Sequence, residues 1–503
     1  MTPMTPQDAY AALVGQVRET SLLSSAAAVL HWDQEIHLPA KGYEHRSNQV
    51  SLIARMVHEQ FTSPRTGELL AAVEAAPPLN EDAAVNVREL RRGYDRATKI
   101  PPALVEEMSK TAVLAHQAWV DARKKSDYAL FKPWLARTLE LKRQEAACIS
   151  TSKPAYDVLL DEYEPDETTE NLRRVFESLR GPLVELVGAI AASPKKAPVE
   201  ILEKRYPGPA QEALAREAAK AIGFDFEAGR LDLSVHPFCT DLGPDDIRIT
   251  TRYDEAYFGD TFFGVLHEAG HALYEQGLPA EHWGAPLGQA ISLGIHESQS
   301  RMWENLVGRS RSFWEHFFPK AQETFPQQLR DVTLERWHFA VNDVRPSFIR
   351  TESDEATYNL HVLLRFEMEQ AMLSGDVAGD DVPAAWNEKM TKYLGITPPD
   401  DARGCLQDTH WGGGAIGYFP TYTLGNLYAA QFFEQARNDA GDLDAQFARG
   451  EFAPLLGWLR DKIHRHGKRY PARALVKRVT GRELSAEPLL AHLRKNAAEL
   501  YGV

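Results

Sequence analysis

The chain has 503 residues, 44% hydrophobic and 25% charged, which excludes disordered, collagen-like and disulfide-framework proteins and leaves room for about three domain-sized units or one large enzyme unit. Lys+Arg of 56 against Asp+Glu of 71 gives a net charge of −15, a field that repels phosphate backbones and anionic lipid and argues against nucleic acid and membrane partners. The three cysteines, Cys148, Cys239 and Cys405, are far apart and form no CxxC pair; with no basic stretch followed by an apolar core near Met1, and no run of about 18 apolar residues, they predict a soluble cytoplasmic protein.

From Gln7 to about Ala192 apolar residues recur at three- and four-residue steps, as in Leu69, Leu70, Val73 and Leu172, Val175, Phe176, Leu179, which predicts stacked helices. Turn signals break them at Leu38-Pro39, Ser63-Pro64, Pro77-Pro78, Pro101-Pro102 and Glu164-Pro165. Between Arg230 and Tyr253 the strings LDLSVHPF and DIRITTRY alternate like strands around the turn TDLGPD, predicting two or three short strands. Helical periodicity returns after Asp254, over Gln289–Leu306, Glu355–Met372, Ala384–Leu394, Leu424–Gln435 and Glu487–Leu500, and a glycine-rich stretch from Gly404 to Gly425 reads as a long functional loop. The segment Arg460 to Arg482 carries nine Lys/Arg residues and reads as a solvated amphipathic face, and His464 and His466, two apart, fall on different helix faces.

Chemistry enters at His267-Glu268-Ala269-Gly270-His271, embedded in an apolar helical pattern. Residues four apart share a helix face, so both imidazoles reach one metal ion while Glu268 sits beside the water that the ion activates for attack on a carbonyl. A catalytic zinc takes three protein ligands and keeps a fourth position open. Glu275 continues the spacing, but a straight helix cannot wrap three turns around one ion. The third ligand is expected on the next helix, which offers Glu297 in the string HESQ and, two turns later, Glu304; Glu297 is preferred. His296 points about 100° away from Glu297 and is expected to pack or to support a ligand.

Six strings stand in one order: HPF at His236–Phe238, DIRIT at Asp246–Thr250, HEAGH at His267–His271, HESQ at His296–Gln299, IRTESD at Ile349–Asp354 and GCLQDTHW at Gly404–Trp411. In these the chain resembles the M32 family of metallocarboxypeptidases. The resemblance implies that His267, His271 and Glu297 bind one divalent metal, zinc with cobalt or manganese as alternatives, and that Glu268 is the general acid/base. It also implies a mostly α-helical, saddle- or clam-shaped subunit of neurolysin-like outline, with a deep groove and a small sheet, assembled as a homodimer. The implied activity is release of single C-terminal residues from peptides with broad side-chain tolerance. Motifs from Arg230 to Tyr422 must then converge on one groove, so residues 1–229 form a helical wall, 230–422 the catalytic segment and 423–503 the C-terminal helices of a single unit.

An exopeptidase must capture a terminal carboxylate, which a planar arginine does well. Arg350 is the first candidate and Arg248 the second; the competing reading for each is an ion pair, with Asp354 and Asp246 respectively. His410, with Tyr418 or Tyr422 on the glycine-rich loop, is expected to donate to the oxyanion, and Asp408 to orient His410 or bind peptide. DIRITTRY is read as an exposed strand edge that could pair with an extended peptide, and His236 as a groove residue or a satisfied core histidine. Two other functions stay open on the residues alone: an oligo-endopeptidase using the same site, and a non-catalytic helical binding protein that keeps a metal for structure.

Overall fold

Side-chain caps start the N-terminal helices where the sequence has its breaks. In the computed structural model, which describes residues 4–503, Thr5 caps helix Pro6–Ile36, Ser63 caps Pro64–Glu74, Asn80 caps Glu81–Lys99 and Thr168 caps Thr169–Ala192, each side chain accepting a backbone N–H of the first turn. Proline opens the helices Pro64–Glu74 and Pro102–Lys125, where its missing N–H costs nothing. The first helices keep a small core of their own, Ala9, Leu13, Val17, Leu69, Leu70, Val73 and Leu90. The main core begins at Ala115 and extends to Leu493, and takes in Leu172, Val175, Phe176 and Leu179. No helix among the described residues is long and apolar enough to cross a membrane.

The architecture is mostly helical with one three-stranded sheet. Strands β1 (Gly229–Leu233), β2 (Cys239–Asp241) and β3 (Ile247–Thr251) lie in the order β1-β3-β2, with β1 parallel and β2 antiparallel to β3. This corrects the reading of DIRITTRY as an exposed edge. β3 is the central strand, with Ile247, Ile249, Thr250 and Thr251 buried and both ladders occupied, so β1 and β2 carry the sheet's edges. The HPF string forms the β1–β2 connection, where Thr250 Oγ1 accepts the Phe238 N–H at 2.9 Å.

The sheet packs against the helix Phe258–Glu275, called here the motif helix, thirteen of whose residues are buried. Its first turns are held by rings: Phe258 and Phe262 meet Trp314, and Phe258 also meets Phe325 and Trp337. Against its other side lies the HESQ helix. This helix begins at Leu293, not near Gln289, because Ser292 caps it through the Ile295 N–H while the Tyr163 carbonyl takes the Leu293 N–H. It continues into a π-helical turn, Met302–Val307. A third helix, Pro420–Ala440, crosses behind it, so the glycine-rich loop ends sooner than expected: Tyr418 is on the loop, Tyr422 is in the helix's first turn, and Gly425 is inside it.

Two glycines set the spacing of these helices. A Cβ on Gly270 would sit 2.6 Å from Ser300 Cα and 2.7 Å from the Gln299 carbonyl oxygen, and one on Gly425 would sit 2.4 Å from Glu297 Cγ. Backbone cannot rotate away as a side chain can. Gly270→Ala is therefore expected to cost about 1–3 kcal/mol by overpacking and to lower metal content by moving Glu297, whereas Gly264→Ala, with nothing within 4 Å of its new Cβ, should leave stability equal or higher. Thermal midpoints at one scan rate and bound metal per chain check both; equal behaviour of the two variants would contradict the packing argument.

Candidate active site

The close helix contact brings His267, His271 and Glu297 together, with one ligand atom from each within 4.8 Å of the others. Glu297 Oε2 lies 3.6 Å from His267 Nε2 and 3.4 Å from His271 Nε2. Two imidazole nitrogens and a carboxylate oxygen converging on one point are the donor set of a catalytic zinc-type site. The alternative ligand Glu304 lies behind His267, its Oε2 2.9 Å from the Nδ1 on the far side of that ring. Glu275 is 2.7 Å from His296 Nε2, and His296 Nδ1 is 2.5 Å from His271 Nδ1, so neither Glu275 nor His296 faces the convergence point.

Charge at the site is partly offset by a residue that sequence reasoning missed. Arg301 Nε donates to Glu297 Oε1 at 2.7 Å and its Nη1 to Glu304 Oε2 at 3.1 Å, while the guanidinium lies over the Tyr358 ring at 4.2 Å. The π turn begins one residue after Arg301 and carries Glu304, the kind of local irregularity that often marks functional sites. Burial opposes charge on His267, but the carboxylates of Glu297 and Glu304 overcome it and push the imidazole up to about 9. The same field attracts a metal cation. Burial and neighbouring His296 push His271 down to about 3, and burial raises the Glu268 carboxyl to about 7.

The IRTESD and GCLQDTHW strings build a second group of side chains. Arg350, 5% exposed, donates through Nε and Nη2 to Asp408 Oδ1 at 3.2 and 2.8 Å and through Nη1 to the Tyr358 hydroxyl at 2.9 Å. Arg350 does not pair with Asp354, which instead accepts the N–H groups of Ala356 and Thr357 at the start of helix Thr357–Ser374. Arg365, fully buried and not singled out from the sequence, takes the other oxygen of Asp408 at 2.6 Å. Asp408 therefore does not orient His410, whose Nδ1 is 3.9 Å away; it joins two arginines, whose charges hold its carboxyl far below the usual range. Gln407 accepts the Arg350 N–H and donates to the Phe348 carbonyl, and Trp411 donates to buried Glu369, which pins the loop from both sides.

His410 Nε2 lies 3.3 Å from the Tyr422 hydroxyl, and its ring packs against Tyr418 and Phe419. Burial, with help from Arg350 and Arg365, pushes His410 down to about 4, so it is neutral near pH 7. Tyr422 lies one turn before Gly425, the glycine pressed on Glu297, and under the Arg350 guanidinium at 4.9 Å. Tyr422 thereby shares a helix face with the glycine that meets Glu297, and Tyr418 packs on Tyr422 with ring centroids 5.4 Å apart.

The remaining candidates stand apart. Arg248 forms the predicted pair with Asp246, at 2.7 and 2.8 Å, and lies over Trp32 at 4.3 Å. His236 is exposed in the β1–β2 connection, which removes the core-histidine reading. The basic segment is tied to acids, including Asp82, Asp461 and Glu483, and buried His464 bonds Gln299.

The family model of the carboxypeptidase Taq (M32) metallopeptidases matches residues 12–497. The chain is 50% identical to thermostable carboxypeptidase 1 of Thermus thermophilus over 99% of its length and 100% of that protein's. It is 39% identical to carboxypeptidase 1 of Bacillus subtilis, over 96% and 97% respectively. The M32 carboxypeptidase of Deinococcus radiodurans superimposes with a TM-score of 0.96 at 41% identity, covering 98% of this chain and 100% of that one. The Pyrococcus furiosus carboxypeptidase gives 0.94 at 37%, covering 97% and 98%. With this fold, the convergence of His267, His271 and Glu297 and these relatives, the chain belongs to the carboxypeptidase Taq (M32) family of metallopeptidases.

Proposed function

We propose that this carboxypeptidase removes single C-terminal residues from peptides with broad side-chain tolerance, using one zinc ion held by His267, His271 and Glu297 and Glu268 as general acid/base. The observation that carries the reading is the convergence of the three ligand atoms within 4.8 Å, with Glu268 on the same helix between the two histidines. The donor set also accepts cobalt or manganese. When bound, the ion supplies Lewis acidity to a water and to the scissile carbonyl.

Glu268 takes the water's proton during attack and delivers it to the leaving amine, and its burial favours uptake of that proton. His410, neutral, and the hydroxyl of Tyr418 or Tyr422 donate to the oxyanion. Arg350 uses three of its N–H donors on Asp408 and Tyr358, leaving one on each terminal nitrogen for the peptide's α-carboxylate. Asp408 is shared between two arginines, so the group keeps a net positive charge, which suits an anionic chain end. Asp408 is thus a positioning residue for Arg350. Arg248, in the central strand and bound to Asp246, and exposed His236 in the β1–β2 connection are assigned to substrate contacts farther from the metal site, where an extended peptide pairs at an edge strand, which reads backbone and leaves side chains unspecified. One groove served by residues 230–422, walled by the helices before and after, and a homodimeric assembly complete the reading, supported by the family resemblance, with a cytoplasmic location supported by the three unpaired cysteines.

Paired peptides with a free and an amidated C-terminus test the exopeptidase assignment. Single-residue release from the free acid alone is expected, and internal cleavage of both would overturn it in favour of an endopeptidase. Glu268→Gln should retain its metal and lose about 10²- to 10⁴-fold in rate; unchanged turnover would remove Glu268 from the mechanism. Arg350→Ala should lower kcat/KM for free-acid peptides about 10- to 150-fold, the scale of a lost charged hydrogen bond, with metal content unchanged.

A further inference from the structure

The two histidines of the motif helix are held from behind in different ways. His267 Nδ1 meets the Glu304 carboxylate directly at 2.9 Å. His271 Nδ1 meets another imidazole, His296 Nδ1, at 2.5 Å, and His296 Nε2 meets Glu275 Oε1 at 2.7 Å. Glu275 is one helical turn beyond His271 on the motif helix, and His296 immediately precedes Glu297, so the chain of contacts joins the two helices that supply the ligands.

The metal-site reading sets the direction of this chain. A metal-binding Nε2 of His271, the atom 3.4 Å from Glu297, needs its lone pair, so the ring's proton is on Nδ1 and is donated to the facing His296 Nδ1. His296 then carries its own proton on Nε2 and donates it to the Glu275 carboxylate. The opposite assignment would protonate Nε2 and leave it unable to bind a metal.

We infer that Glu275, acting through His296, sets the tautomer and ring orientation of His271 and so prepares the second imidazole ligand, independently of the Glu304 support behind His267. Glu275 and His296 are positioning residues and touch neither substrate nor metal. The inference rests on the metal-site reading of His267, His271 and Glu297, and outer partners of this kind typically alter metal affinity 10- to 100-fold.

The test is a Zn2+ titration of chelator-stripped full-length protein against a competing chelator, with the thermal midpoint of the metal-free form as a folding control. Glu275→Leu is expected to raise the Zn2+ Kd about 10- to 100-fold at an unchanged metal-free midpoint, and Glu275→Gln, which keeps an acceptor carbonyl in place, to recover part of the loss. His296→Leu should weaken binding comparably, and Glu275→Leu added to it should cost less than about twofold more, because the relay is already broken. Penalties that multiply in the double variant, or a Glu275→Leu protein that binds Zn2+ as the parent does, would overturn the relay. Failure of the parent itself to bind Zn2+ would instead overturn the metal-site reading. Should His296→Leu lower the metal-free midpoint, the Glu275→Leu and Glu275→Gln pair decides alone: recovery by Gln supports the relay and its absence refutes it.

Discussion

The site depends on how closely two helices can approach. Gly270, in the middle of HEAGH, lets the motif helix press its backbone on Ser300, and Gly425 lets a third helix press on Glu297 from behind. That contact places a carboxylate from one helix against two imidazoles from another. Once they meet, Glu268 and Glu297 are buried and Glu304 and both histidines are largely shielded from water, and charged groups so placed must be paired or bind a metal. Arg301 supplies one positive charge between Glu297 and Glu304, and the family's divalent metal supplies the rest when bound.

The same logic of paired charge organises the second group. Asp408 lies between Arg350 and Arg365, and Tyr358 connects the two groups: its hydroxyl accepts from Arg350 and its ring carries Arg301. One network thus runs from Glu297 to Arg350. Around Asp408 two arginines face one aspartate, a local positive excess inside a molecule whose net charge is −15.

How much of this was legible in the sequence follows the range of the interactions. Caps and helix breaks are local, so Ser63-Pro64 and Pro101-Pro102 mark real boundaries, and the helix Glu487–Leu500 is found where periodicity places it. HEAGH is legible because its chemistry lies within one helical turn. Longer-range partners are not: Arg350 has an acid four residues on, yet its partner is Asp408, fifty-eight residues away. Arg301 and Arg365 look like ordinary helix-surface arginines until neighbouring helices bury them. Strand order is likewise unreadable from alternation, which is why DIRIT reads as an edge and turns out to be central.

Close packing of the motif and HESQ helices places Glu297, and not Glu304 or Glu275, against His267 and His271. Anomalous scattering at the zinc edge from crystals of the zinc-loaded protein tests it most directly. One peak per chain is expected, at about 2.0–2.2 Å from His267 Nε2, His271 Nε2 and a Glu297 carboxylate oxygen. A peak coordinated by Glu304 or Glu275 in place of Glu297 would contradict it.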